Sequence, residues 1–255
     1  MPETSAMTTA TRRHHSSPNH TERRGTDRPD MIVLHYTGMT SAAAAIERLC
    51  DPAAEVSAHY VVDVNGEVSC LVGEDRRAWH AGRAAWGGMT DVNSHSIGIE
   101  IANPGHALGY PPFSDPQMCS VEGLVADAMT RWAIPPERVV GHACVAPGRK
   151  IDPGEKFDWR RLAQQGLAVW IDPERASGGR ADAAAFRSAA YRMGYSVPET
   201  ADWSDDLLAV WRSFAMRFLP GRANTGPDGA SVEHAAKIAE RWPVARAGAN
   251  QSRSS

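Results

Sequence analysis

The sequence has no run of about 18 apolar residues, the length a membrane-spanning helix needs. It has no Cys-x-x-Cys pair. Its four cysteines, Cys50, Cys70, Cys119 and Cys144, are scattered, which implies reduced thiols rather than a disulfide framework or a cysteine-built metal site. It has no internal repeat, no glycine-rich phosphate loop and no block of basic residues, and its formal net charge is -3. Nothing electrostatic therefore favours nucleic acid or a membrane surface as a partner. The N-terminus also lacks the apolar core of a secretory signal. That leads to the expectation of a cytoplasmic protein, or a periplasmic one if the true start is not Met1.

What is present is ordinary for a soluble globular chain. It has 255 residues, 42% hydrophobic and 22% charged, enough for one or two domains. Residues 1–24 are polar and read as a flexible segment. Met31 to Tyr36 reads as a buried strand. Ser41 precedes a helix that runs to about Leu49 and stops at Asp51-Pro52. Two β-rich runs, His59–Val64 and Glu67–Val72, flank Asn65-Gly66 and read as a hairpin. A strand at Ile97–Ile101, a helix from Pro116 to Trp132, a strand at Arg138–Gly141 and a helix from Asp158 to Trp170 follow. Strands interleaved with helices indicate an α/β (α+β) layer fold, a mixed central sheet flanked by helices. Residues 172–180 read as a linker. Three helical patterns lie beyond it, at Ala181–Met193, Ser204–Phe218 and Ser231–Trp242.

Chemistry concentrates in Val140-Gly141-His142 and the loop down to Lys150-Ile151-Asp152-Pro153-Gly154. A strand ends in a histidine, and a lysine and an aspartate follow two positions apart, so both can face one side. Imidazole plus carboxylate is half of a metal site. Catalytic zinc takes three protein ligands and keeps one position open. His35, ending the other apolar strand, is the candidate third ligand. Cys144 is a softer alternative close by. Glu100 is a carboxylate at the end of an apolar strand, where it is locally out of place; it reads as a general-base candidate or as a salt-bridged edge residue. Lys150 is a cation two residues from a ligand, suited to stabilising an oxyanion.

Five blocks carry a family resemblance: Ile32–Thr37, Val56–Tyr60, Arg77–Gly82, Ser96–Ile101, and Gly141 to Gly154. In their order the chain resembles the zinc-dependent N-acetylmuramoyl-L-alanine amidases of the amidase-2 family, the AmpD/AmiD-like enzymes related to peptidoglycan recognition proteins. The resemblance implies a catalytic domain at 25–171 and one zinc ion held by His35, His142 and Asp152. It implies Glu100 as base and Lys150 as the oxyanion partner. Trp79, His80 and Asn103 are expected to line the substrate groove, with Trp86 a further candidate. Some relatives have a catalytic tyrosine where this chain has Ala58, which leaves the base role to Glu100. His59 is then a core or supporting residue. The implied substrate is peptidoglycan or a recycled anhydro-muropeptide, with both open, and the chain is expected to be a monomer. Residues 181–245 distantly resemble a small three-helix peptidoglycan-binding domain with a degraded signature. They also read as a helical extension packed on the catalytic domain. The competing function is a non-catalytic peptidoglycan-recognition module, a class that loses zinc ligands. The full ligand set here favours the enzyme.

Overall fold

A computed structural model describes residues 12–174 and 179–245. In chain order its elements are β1 (Arg12–His14), β2 (His20–Glu22), β3 (Met31–Tyr36), α1 (Ala42–Cys50), β4 (Tyr60–Val62), β5 (Val68–Cys70), β6 (Arg76–Ala78), α2 (Val92–His95) and β7 (Ser96–Ile101). There follow α3 (Asp115–Trp132), β8 (Val139–Gly141), α4 (His142–Val145), α5 (Trp159–Gln164), α6 (Ala183–Arg192), α7 (Asp205–Phe218) and α8 (Gly229–Arg241). Six strands form a mixed sheet in the order β1-β5-β4-β7-β3-β8, and β2 pairs with β6 in a separate ribbon. In the main sheet β3 is parallel to both β7 and β8. Strands buried on two faces read as unbroken apolar runs, as Met31 to Leu34 does.

One face carries Ile32, Leu34, Ile97, Ile99 and Ile101, packed by Val121, Leu124 and Val125 of α3 and Leu162 of α5. Helix α3 starts on a capping box between Ser114 and Gln117. The other face carries Met31, Val33 and Val140, packed against Phe186, Trp211, Phe214 and Ile238 of α6, α7 and α8. Farther along it, α1 covers Val61. The three C-terminal helices thus share one apolar cluster with the sheet.

Three expectations are corrected here. The segment 1–24 is not flexible throughout. Residues 12–24 supply β1, parallel to β5, and β2, antiparallel to β6. Its polar residues mislead because they partner distant backbone: buried Asn19 donates to the Asp51 and Val56 carbonyls at 2.8 and 2.9 Å, and half-buried Arg23 to those of Glu74 and Ser94. Residues 1–11 lie outside the described residues, as does 175–178 of the linker. The helix expected over Asp158–Trp170 ends at Gln164. Gly166 takes φ +72°, and Gly166 and Leu167 donate to the Ala163 and Leu162 carbonyls, the glycine-terminated stop known as the Schellman motif. The hairpin strands are shorter than expected, because pairing at Asp63 and Glu67 closes a three-residue turn with Gly66 at φ +84°.

Candidate metal centre and active cleft

Three parallel strands bring the candidate residues to one end of the sheet. His35 and Glu100 are register partners on β3 and β7, so their side chains leave the same face. His142 follows β8 directly as the first residue of α4. The loop after α4 folds back, and the Ala143 N–H donates to the Asp152 carbonyl at 2.8 Å. Gly141 permits this return, since a Cβ there would lie 2.7 Å from Pro153 Cδ.

His35 Nδ1, His142 Nδ1 and Asp152 Oδ2 form a triangle with sides of 2.9, 3.0 and 3.0 Å. All three residues are buried. Donors ~2.0–2.2 Å from one tetrahedral centre lie roughly 3.3 Å apart, so the triangle is slightly tighter than a loaded site. Among the described residues no other cluster of His, Cys, Asp or Glu converges in this way. The charges agree with a metal. Burial and the neighbouring His142 push His35 down to about 4, against the opposing pull of Asp152. Burial alone would raise the Asp152 carboxyl, but the charges and hydrogen bonds of His142 and His35 hold it far below the usual range. His142 Nε2 lies 3.0 Å from the Ala81 carbonyl, which can only accept, so that nitrogen carries the ring proton and Nδ1 presents its lone pair. One carboxylate oxygen and two imidazole nitrogens converging about 3 Å apart are a donor set that suits a cation.

The triangle lies at the bottom of a cleft of about 370 Å³. Glu100, Lys150, Trp79 and Tyr36 line it, with Met39, Leu49, Arg48 and Arg149 farther along the walls. Glu100 Oε2 is buried without a hydrogen-bond partner. Burial raises its carboxyl well above the ordinary value, Asp152 adds to this, and Lys150 opposes it. Trp79 Nε1 is a second buried, unpartnered polar atom of the cleft. A buried carboxyl, a lysine side chain and an indole N–H thus line the cleft around the triangle.

The remaining expected residues fall elsewhere or take other roles. His80 lines the cleft, but its Nδ1 lies 3.0 Å from His35 Nε2. Burial and His35 hold its ring far below the usual histidine range. Asn103 is turned inward: its carboxamide donates to the Pro111 carbonyl and accepts from the Gly105 N–H, both at 2.9 Å. Its groups serve the loop after β7, and it is absent from the cleft lining. Trp86 is buried against Tyr195, with ring centroids 5.0 Å apart. Cys144 points at Tyr195 as well, 3.5 Å from its hydroxyl, and so faces the C-terminal helices rather than the triangle. His59 is fully buried; its Nδ1 accepts from Gly98 N–H at 2.9 Å and its Nε2 reaches the Arg76 carbonyl at 3.1 Å. Sequence reasoning missed Tyr36, Met39, Arg48 and Arg149. It also missed Ser96 and Gly98. A glycine inside an apolar strand signals a close approach, and Gly98 was that signal.

The comparisons with known proteins agree with this geometry. Residues 25–155 match the family model described as N-acetylmuramoyl-L-alanine amidase. The chain is 34% identical over 232 residues to the N-acetylmuramoyl-L-alanine amidase AmiD of Escherichia coli, covering 83% of each protein. It is 39% identical over 107 residues to the 1,6-anhydro-N-acetylmuramyl-L-alanine amidase AmpD of Haemophilus influenzae, covering 42% of this chain and 56% of that one. The solved complex of the Escherichia coli AmiD with anhydro-N-acetylmuramic acid-L-Ala-D-gamma-Glu-L-Lys superposes with a TM-score of 0.76 at 33% identity, over 88% of this chain and 98% of the other. The Pseudomonas aeruginosa AmpDh3, solved with an anhydromuramic pentapeptide, gives a TM-score of 0.74 at 28% identity, over 87% and 96%. The AmiD match runs through the C-terminal helices as well as the sheet, and with the family match over the segment that holds His35, Glu100, His142 and Asp152 it makes this chain a member of the amidase-2 family of N-acetylmuramoyl-L-alanine amidases.

Proposed function

We propose that this amidase hydrolyses the amide bond between N-acetylmuramic acid and L-alanine in muropeptides, including 1,6-anhydro forms. One zinc ion held by His35, His142 and Asp152 serves the reaction. The single observation that supports this most is the buried triangle of two imidazole nitrogens and one carboxylate oxygen at the cleft floor. The solved complexes of AmiD and AmpDh3 with anhydromuramyl peptides support the choice of substrate. When bound, zinc supplies a Lewis acid that polarises the carbonyl and lowers the pKa of a water to about 7.

The chain's own residues do the rest. Asp152 and the two imidazoles orient the ion and reduce its charge. Glu100, with an unpartnered carboxylate oxygen, takes the proton from the attacking water and returns it to the leaving nitrogen. Lys150 lines the cleft, and its side chain makes no hydrogen bond or ion pair among the described residues, so its ammonium can meet the developing oxyanion. Trp79 offers a flat face to a sugar ring and an N–H to an acceptor.

The test is zinc content beside turnover of an anhydromuramyl tripeptide. About one zinc per chain is expected, with activity lost on chelation and restored by zinc. Full turnover by metal-free protein would overturn the zinc mechanism. Zinc binding with peptide affinity but no turnover would favour a recognition module.

A further inference from the structure

A zinc-binding imidazole must carry its single ring proton on the nitrogen away from the metal, and its second hydrogen bond decides which nitrogen that is. For His142 the Ala81 carbonyl settles this in one step. For His35 the same outcome is reached through a chain that begins at another carbonyl. Val92 O lies 2.6 Å from Ser96 Oγ and can only accept, so the Ser96 hydroxyl directs its one proton there. Ser96 Oγ then accepts from His80 Nε2 at 3.0 Å. A neutral ring with its proton on Nε2 has an acceptor at Nδ1. That acceptor lies 3.0 Å from His35 Nε2, which must therefore donate. His35 Nδ1 is left with a lone pair directed at His142 and Asp152.

The ring that transmits this order is held on every side. Asn93 Oδ1 accepts from the His80 and Ala81 N–H groups at 3.1 and 2.8 Å, so one carboxamide fixes the backbone behind both relays. The His80 ring lies over Gly98, where a Cβ would come within 2.4 Å of His80 Cγ. Its plane stands nearly perpendicular to that of His35, at 84°.

We propose that His80 is a positioning residue of this amidase: acting through Ser96 and the Val92 carbonyl, it sets the tautomer and orientation of His35 and so the affinity for the metal. This rests on the triangle being the zinc site. It assigns Ser96 and Gly98 as parts of the same device, Ser96 by polarity and Gly98 by vacancy.

The test uses the full chain, with zinc affinity from chelator competition and the His35 tautomer from long-range 15N–1H correlation in metal-free protein. Wild type should show His35 protonated on Nε2. His80→Ala should lose ~10–100-fold in zinc affinity and show mixed His35 tautomers. His80→Gln keeps one acceptor and one donor and should restore most of both. Ser96→Ala should move both readouts in the same direction by less. If His80→Ala fails to fold, the wild-type tautomer and Ser96→Ala decide the matter. A wild type that holds zinc, with His80→Ala binding it as tightly and His35 unchanged, overturns this inference alone. A wild type that binds no zinc overturns the metal reading, and the tautomer measurement still tests the relay separately. His35 protonated on Nδ1 in wild type overturns the relay.

Discussion

The two faces of β3 and β7 differ by an offset of one residue. On one, Ile32, Leu34, Ile97, Ile99 and Ile101 meet α3 and α5 with no polar group among them. On the other, the same strands present Met31, Val33 and His35, and Ser96, Gly98 and Glu100. The aliphatic face can vary in detail as long as its volume is filled. The second face cannot, because each buried polar atom needs a stated partner or a ligand. Ser96, His80 and His35 have partners in sequence; Glu100 has an oxygen with none. One face is thus a packing surface and the other a wired one, and substitutions should separate them.

The largest separation is expected at the triangle. Asp152→Ala leaves two imidazoles and no anion, and should lose both zinc and measurable turnover; zinc analysis beside activity checks this. Retention of stoichiometric zinc would show that the carboxylate is not a ligand. Glu100→Ala should keep the metal and lose on the order of 10²–10⁴ in kcat, the usual contribution of a placed acid-base group. Zinc loss in that variant would move Glu100 into the coordination shell. Lys150→Ala should also keep zinc and lose on the order of 10²–10³ in kcat. A double variant should lose less than the product, since both groups act on one transition state.

On the packing face, Leu34→Ala should cost roughly 2–5 kcal/mol of stability while the folded fraction keeps its kcat, checked by denaturant unfolding and active-site titration. A selective loss of kcat there would break the distinction between the faces. The smallest effect concerns pH. In metal-free protein the Glu100 carboxyl is held above its ordinary value, by burial first and Asp152 next. Stability from its neutral form is then full below the ordinary carboxylate pKa and is lost as pH rises through the raised one. Melting in the presence of chelator should therefore fall across that window for wild type and stay flatter for Glu100→Gln. Parallel curves would mean that the carboxyl is not desolvated.

How much of this was legible follows the same division. The apolar runs of β3 and β7 and the cap at Ser41 were readable, because burial and capping leave local patterns. His35 and His142 could be singled out because polar residues at strand ends interrupt those patterns, and Asp152 because it follows Lys150 by two positions in the loop behind His142. What could not be read was polar structure made by distant pairing. Asn19 and Arg23 look like tail residues, yet they serve carbonyls 32 to 73 positions away. Asn103 looks like a groove residue, yet the Pro111 and Gly105 backbone takes both ends of its amide. The Gly166 stop was legible in principle, since a glycine after a periodic run is a terminator. The C-terminal helices were legible as helices, with packing on the catalytic domain as one of two readings left open; the cluster they share with Met31, Val33 and Val140 needed the structure.

That last feature has a consequence for inheritance. On α7, Ser213 donates to the Ala143 carbonyl at 2.7 Å and Arg217 to the Val139 carbonyl at 2.9 Å, so one helix grips the backbone on both sides of His142. A crossover that exchanged everything after residue 174 for a foreign module would take both donors away. It would also strip Met31, Val33 and Val140 of their cover. In this chain the sheet is therefore not a self-contained cassette: an exchange there would have to restore both donors and the apolar cover along with the strands.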